Sequence, residues 1–178
     1  LSKYGKADLA YQILATPNFP SQTYVMNYGF TTWPERQFFW EDMHGLTNSL
    51  NHPMHSGFAA YFYETIGGIK SSYDHRGYKE FLVNPVFPEE LKSADLTVPT
   101  PYGAIQKRKK RNDEEVSMDL QVPFNTKARL IIDGVEPESL KINGKSFSEQ
   151  QLNNGLKLID NALIIGSGKY EVSYSKIK

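Results

Sequence analysis

Apolar residues along this chain follow two different periods, and the change comes near Gly77. Ala7, Ala10, Ile13 and Leu14 fall at i, i+3, i+6 and i+7, one side of a helix, with Gly5 before the run and Pro17 ending it. Met54, Phe58, Tyr61, Phe62, Thr65 and Ile66 predict a second helix with one apolar face. Pro53 suits the first turn of that helix, where an N–H has no intrahelical acceptor, and Gly67-Gly68 stops it. Between the two, Pro17 to His52 shows no period and reads as a loop rich in aromatic, Asn, Thr and Pro residues. A connection of that length is unusual in a compact domain and is often functional.

Beyond Gly77 the period drops to two. Val116, Met118, Leu120 and Val122 point one way while Ser117, Asp119 and Gln121 point the other. Ala128, Leu130 and Ile132 repeat the pattern after Pro123-Phe124-Asn125. Ser139–Ile142, Leu156–Ile159, Leu163–Ile165 and Tyr170–Tyr174 continue it, with Asn143-Gly144 as a hairpin turn. Short strands with closely spaced turns predict an antiparallel β-sandwich rather than a parallel sheet. The expected organisation is helical material over residues 1–77 and a β-domain over 78–178.

Composition adds mainly exclusions. Twenty basic residues balance 20 acidic ones, so bulk charge supplies no attraction to nucleic acid or to an anionic membrane. No apolar run is long enough for a membrane span. With no Cys there are no disulfides or thiolate metal sites, and the redox compartment stays undecided; a periplasmic or secreted location is preferred over a cytoplasmic one. The start, Leu1-Ser2-Lys3-Tyr4, has neither Met nor a signal-peptide core and reads as the inside of a longer chain. Eleven Tyr, ten Phe and two Trp are enough rings to stack on pyranose faces, although most aromatic residues serve as ordinary core.

Three segments offer candidate chemistry. In Gly29-Phe30-Thr31-Thr32-Trp33-Pro34-Glu35-Arg36, Glu35 is either a general base in an aromatic loop or a solvated carboxylate paired with a basic side chain. In Ser49-Leu50-Asn51-His52-Pro53-Met54-His55, His52 either donates to a substrate hydroxyl or, with Asn51, caps the following helix. His52 and His55 lack the third protein ligand a zinc site needs, so no metal is expected. The run Lys107-Arg108-Lys109-Lys110-Arg111 is followed by Asp113-Glu114-Glu115, which cancels most of its field. It reads as the solvated tip and edge of a hairpin between Tyr102–Gln106 and Val116–Val122, where lysine protects an edge strand.

In order along the chain, these segments resemble the C-terminal part of the bacterial α-L-rhamnosidases, a family of inverting glycoside hydrolases. Residues Gly5 to Pro20 look like that family's helix, and Pro20-Ser21 like its exit. Gly29 to Arg36 is similar to G-A-T-T-x-W-E-R, and Ser49-Leu50-Asn51-His52 with Ser56-Gly57 to S-x-N-H-x-x-x-G. Gly77-Tyr78-Lys79 resembles P-G-Y-K, and Thr100-Pro101-Tyr102-Gly103 resembles S-P-Y-G. Val122-Pro123-Phe124-Asn125-Thr126 is similar to V-P-P-N-T, and Gly166-Ser167-Gly168-Lys169-Tyr170 to the closing S-G-x-Y strand. Each motif is weak alone; together and in this order they are specific. Pro34 and Gln37 stand where the family usually has Trp, and the loop from Glu35 to His52 is shorter than the family's, departures that bear on sugar specificity.

The resemblance implies an α+β organisation: the last helices of a six-hairpin α/α barrel, then an antiparallel C-terminal β-sandwich. It implies hydrolysis of terminal α-L-rhamnosyl bonds with inversion, Glu35 as general base and His52 as a contact to the sugar. Trp33 is taken as a wall of the substrate site. The family's general acid lies upstream of the matched segments, so the expected partners are a rhamnose-containing glycan and the upstream remainder of the polypeptide. The mechanism requires no cofactor, and the piece alone is expected to be inactive. Two other readings concern the β-domain: a glycan-binding face carrying Tyr102, Tyr170 or Tyr174, or a purely structural buttress.

Overall fold

The computed structural model describes residues 1–37, 49–72, 74, 76–84, 86–112, 115–131, 135, 137–147, 157–159 and 162–175. The chain divides into two compact units, Leu1–Phe62 and Tyr63–Lys178. The change of period near Gly77 falls later than this division, because β1 (Ile69–Ser71) pairs with β2 (Glu80–Val83) and so belongs to the second unit.

In the first unit, α1 spans Ala7–Ala15 and ends before Pro17, as the spacing predicts. The stretch read as loop holds a further helix, α2 (Gln22–Asn27). Its signal was local: the Ser21 side chain caps it, accepting from the Tyr24 N–H at 2.9 Å. The Thr23 hydroxyl donates to the Leu14 carbonyl at 2.9 Å, tying α2 to the end of α1. The predicted second helix is irregular, with a 3₁₀ segment Pro53–Phe58, one α-turn α3 (Ala59–Tyr61) and a π-turn Phe62–Ile66. That change of winding breaks the continuous apolar face. Ile66 and Thr65 are buried, whereas Met54 is 74% exposed. The Tyr61 hydroxyl donates to the Ala7 carbonyl at 2.9 Å. Burial first, then Asp8 and Tyr11, pushes that phenol up to about 12.

The second unit is a sandwich of two sheets. One sheet has the order β1-β2-β6-β10-β9, adding β6 (Lys127–Ile131), β9 (Lys157–Ile159) and β10 (Ala162–Ile165). The other has the order β3-β4-β5-β11-β7-β8, from β3 (Ser93–Val98), β4 (Ile105–Arg111), β5 (Glu115–Val122), β7 (Lys141–Ile142), β8 (Lys145–Ser146) and β11 (Gly168–Ser175). Among the described residues pairing is antiparallel except between β2 and β6, which run parallel because the chain leaves for the other sheet between them and returns in the same direction. The alternation read from sequence is the burial pattern of β5, whose Val116, Met118, Leu120 and Val122 all face inward. Across from them lie Phe81, Val83, Ala128, Leu130, Leu163 and Ile165, in one shared core. Ile132 and Leu156, assigned to strands from sequence, lie outside the described residues.

Asn143 and Gly144 have φ of 51° and 75°, the two left-handed residues that a two-residue hairpin between β7 and β8 requires. Asn143 also accepts the Glu171 N–H on its Oδ1 at 2.8 Å, locking the turn to β11. Asn143→Ala should therefore lower stability by about 1–2 kcal/mol, from the left-handed backbone and the lost acceptor. Urea unfolding followed by far-ultraviolet circular dichroism measures it, and an unchanged midpoint would contradict the assignment.

The basic run corrects the sequence reading. It is not the solvated tip and edge of a hairpin: it is β4, held between β3 and β5. Lys107 and Lys109 share the inward face with Ile105, and each is 1% exposed. The Lys107 ammonium donates to the Gly67 carbonyl; the Lys109 ammonium donates to the Val86 carbonyl at 2.5 Å and lies 3.8 Å from the Phe87 ring centre. Only the alternate residues Arg108 and Lys110 face solvent, Arg108 pairing with Asp95 at 2.9 Å. Asp113 and Glu114, expected to neutralise the run, lie outside the described residues.

Candidate functional site

The two segments singled out for chemistry lie side by side in the first unit. The Glu35 N–H donates to the Ser49 carbonyl at 2.9 Å, and the His52 N–H donates to the Trp33 carbonyl at 2.6 Å. Pro34, buried between them, has no N–H to contribute. The Thr32 hydroxyl adds a bond to the Leu50 carbonyl at 2.6 Å. Glu35, His52 and Trp33, assigned separately from the sequence, are thus brought to one place by backbone pairing. Residues 38–48, which hold most of the loop between them, lie outside the described residues.

Each side chain has a definite setting. Glu35 is exposed, and its Oε2 accepts the Ser49 N–H at 3.4 Å. Among the described residues no basic side chain pairs with it. His52 occupies the N-cap position of the segment Pro53–Phe58 but makes no side-chain capping bond. Its ring packs edge-on against His55 with centres 5.0 Å apart, and its Nε2 lies 2.7 Å from the Met54 sulfur. No third candidate ligand joins the two histidines among the described residues. Trp33 is half-buried and meets the Phe58 ring edge-on, centres 4.8 Å apart and planes at 87°. Such an aromatic contact contributes roughly 0.5–1.5 kcal/mol beyond burial and fixes the indole's orientation.

Sequence reading gave no role to Thr32 or Ser49. The Ser49 hydroxyl donates to the Asn51 carbonyl at 3.0 Å and accepts the Asn51 N–H at 3.2 Å, shaping the approach to His52. Both are short hydroxyl residues beside irregular backbone, the usual sign of side chains that satisfy local carbonyls and amides.

In the sandwich, the rings suggested for a glycan-binding face do not share one. Tyr170 and Tyr174 pack against the core, and burial raises the pKa of each phenol. Tyr102 stands apart in the turn after β3, 37% exposed, with the Lys79 ammonium 5.3 Å from its ring centre.

Comparison with known proteins agrees with the resemblance carried by the motifs. Residues 68–147 match the family described as bacterial alpha-L-rhamnosidase C-terminal domain. An alpha-L-rhamnosidase of Formosa agariphila is 59% identical over 177 residues, covering 99% of this chain and 19% of that protein. One of Alteromonas sp. is 31% identical over 74% of this chain and 14% of that protein. Among solved structures, the alpha-L-rhamnosidase of Dictyoglumus thermophilum superposes with a TM-score of 0.80 at 26% identity, over 99% of this chain and 20% of its own. That of Streptomyces avermitilis, complexed with L-rhamnose, gives 0.78 at 25% identity, over 97% and 16% respectively. The chain therefore spans a fifth or less of the length of these relatives, and it belongs to the bacterial α-L-rhamnosidase family, whose C-terminal portion it represents.

Proposed function

We propose that this chain supplies the general base and part of the sugar-binding wall of an inverting glycosidase that cleaves terminal α-L-rhamnosyl bonds. The observation that carries the reading is the pairing of the Trp33–Glu35 and Ser49–His52 segments, which gathers a carboxylate, an imidazole and an indole. Inversion needs one carboxylate to deprotonate water and one carboxylic acid to protonate the leaving oxygen, roughly 6.5–9.5 Å apart. Glu35 is the first of these. His52 holds sugar hydroxyls, Trp33 walls the site, and the acid comes from elsewhere in the same polypeptide. No metal or organic cofactor enters such a mechanism.

In this reading the first unit contributes the last helices of an α/α-barrel catalytic domain, and the second, which includes β1, forms the trailing sandwich. The apolar side chains left exposed on the first unit, among them Leu9, Ile13 and Met26, suit burial against the remaining hairpins. For the sandwich, the inward-packed Tyr170 and Tyr174 favour a structural buttress over an aromatic glycan-binding face.

The test compares the 178-residue chain with the full-length polypeptide on an aryl α-L-rhamnoside, following the anomer first released by proton NMR. The full-length protein should release β-L-rhamnose, and the short chain should show no turnover, because half a carboxylate pair cannot carry out concerted acid–base catalysis. First release of α-L-rhamnose would exclude the inverting role for Glu35. Comparable turnover by the short chain would place the acid within it.

A further inference from the structure

Glu35 lies in a segment of irregular backbone, so something must set its register against the segment that carries His52. Among the described residues two backbone bonds join these segments, Glu35 N–H to Ser49 and His52 N–H to Trp33, and neither is part of a continuing sheet. The Thr32 hydroxyl donates to the Leu50 carbonyl at 2.6 Å, midway along the facing stretch. Leu50 follows Ser49, whose N–H points at Glu35 Oε2 from 3.4 Å. Ser49 has its own hydroxyl committed to Asn51, so it forms a turn within its segment and not a tie across.

We propose that Thr32 is a positioning residue for the hydrolysis: its hydroxyl latches the Glu35 segment to the His52 segment and holds the carboxylate where it meets the attacking water. The proposal rests on the reading of Glu35 as general base. Thr32 itself touches no reacting atom. Without its hydroxyl the Leu50 carbonyl can turn to solvent, and the adjoining Ser49–Leu50 peptide, whose carbonyl accepts the Glu35 N–H, loses a restraint. Glu35 is then free to move by fractions of an ångström relative to a sugar held by His52, and displacements of that order reduce rates steeply.

The experiment uses the full-length polypeptide with an aryl α-L-rhamnoside. Thr32→Val keeps the shape and removes the donor; Thr32→Ser keeps the donor; Glu35→Gln is made alongside. The latch predicts that kcat falls by about 10- to 100-fold in Thr32→Val, with KM within about 3-fold and an unchanged melting temperature, and that Thr32→Ser returns kcat to within about 3-fold of the parent. Normal kcat in Thr32→Val beside an inactive Glu35→Gln would overturn the latch and leave the general base standing. An active Glu35→Gln would instead remove the base, and the latch with it. If Thr32→Val does not fold, Thr32→Ala and Thr32→Ser decide: equal kcat in the two overturns the proposal, and a fall confined to Thr32→Ala supports it.

Discussion

Glu35→Gln in the full-length polypeptide should lower kcat by at least ~100-fold, since general-base contributions are typically ~100- to 10,000-fold. The amide keeps the side chain's shape and can still accept the Ser49 N–H, so substrate should bind nearly as well. What it cannot do is take the proton from water. His52→Ala should behave differently, weakening sugar binding by about 1–3 kcal/mol, the cost of leaving a polar partner unsatisfied, with a smaller effect on turnover. The distinguishing measurement is chemical rescue. Azide needs no base and can fill the space of the water, so Glu35→Gln with azide should form a β-rhamnosyl azide from an α-rhamnoside. Near-normal turnover without azide would remove Glu35 from the mechanism.

The second large effect lies in the sandwich. Lys107→Ala removes the amine that donates to the Gly67 carbonyl and empties the space its buried stem occupies. Those two losses together cost about 3 kcal/mol where the lysine is neutral. Burial, and then the charge of Lys109, holds the Lys107 amine well below the usual lysine range. The folded state consequently binds fewer protons here than the unfolded chain between the lowered value and the ordinary one of ~10.4. Stability from this group therefore rises with pH across that window and is lost as pH falls through it. The penalty of Lys107→Ala should be largest near pH 10 and smaller near pH 7, where protonation of the unfolded chain already offsets part of what this buried amine contributes. Urea titrations of both proteins at the two pH values measure it. A penalty independent of pH would show that Lys107 titrates as an ordinary exposed lysine.

Much of the sandwich and the chemical identity of the site can be read from residues near one another in the chain. Strands such as β5 announce themselves because alternation is a local property: a side chain two residues on returns to the same face. The same local chemistry foretold the Asn143-Gly144 hairpin. A Glu among aromatic residues and a His before a helical turn could likewise be named as candidates, and the order of motifs around them tied the chain to its family. Long-range contacts decided the rest. Whether the lysines of β4 faced water or core depended on Gly67 and Val86, far away in sequence, offering carbonyls that needed donors. The period-two signal of Ile105, Lys107 and Lys109 was present, but charge argued against burial until those acceptors were seen. The parallel pairing of β2 with β6 depended on how the intervening chain crossed to the other sheet. The meeting of Glu35 with His52 depended on backbone bonds and on the Thr32 hydroxyl reaching Leu50. Residue type and spacing determine what a side chain can do; which partner it meets is set by contacts between distant segments, whose free energies no local pattern contains.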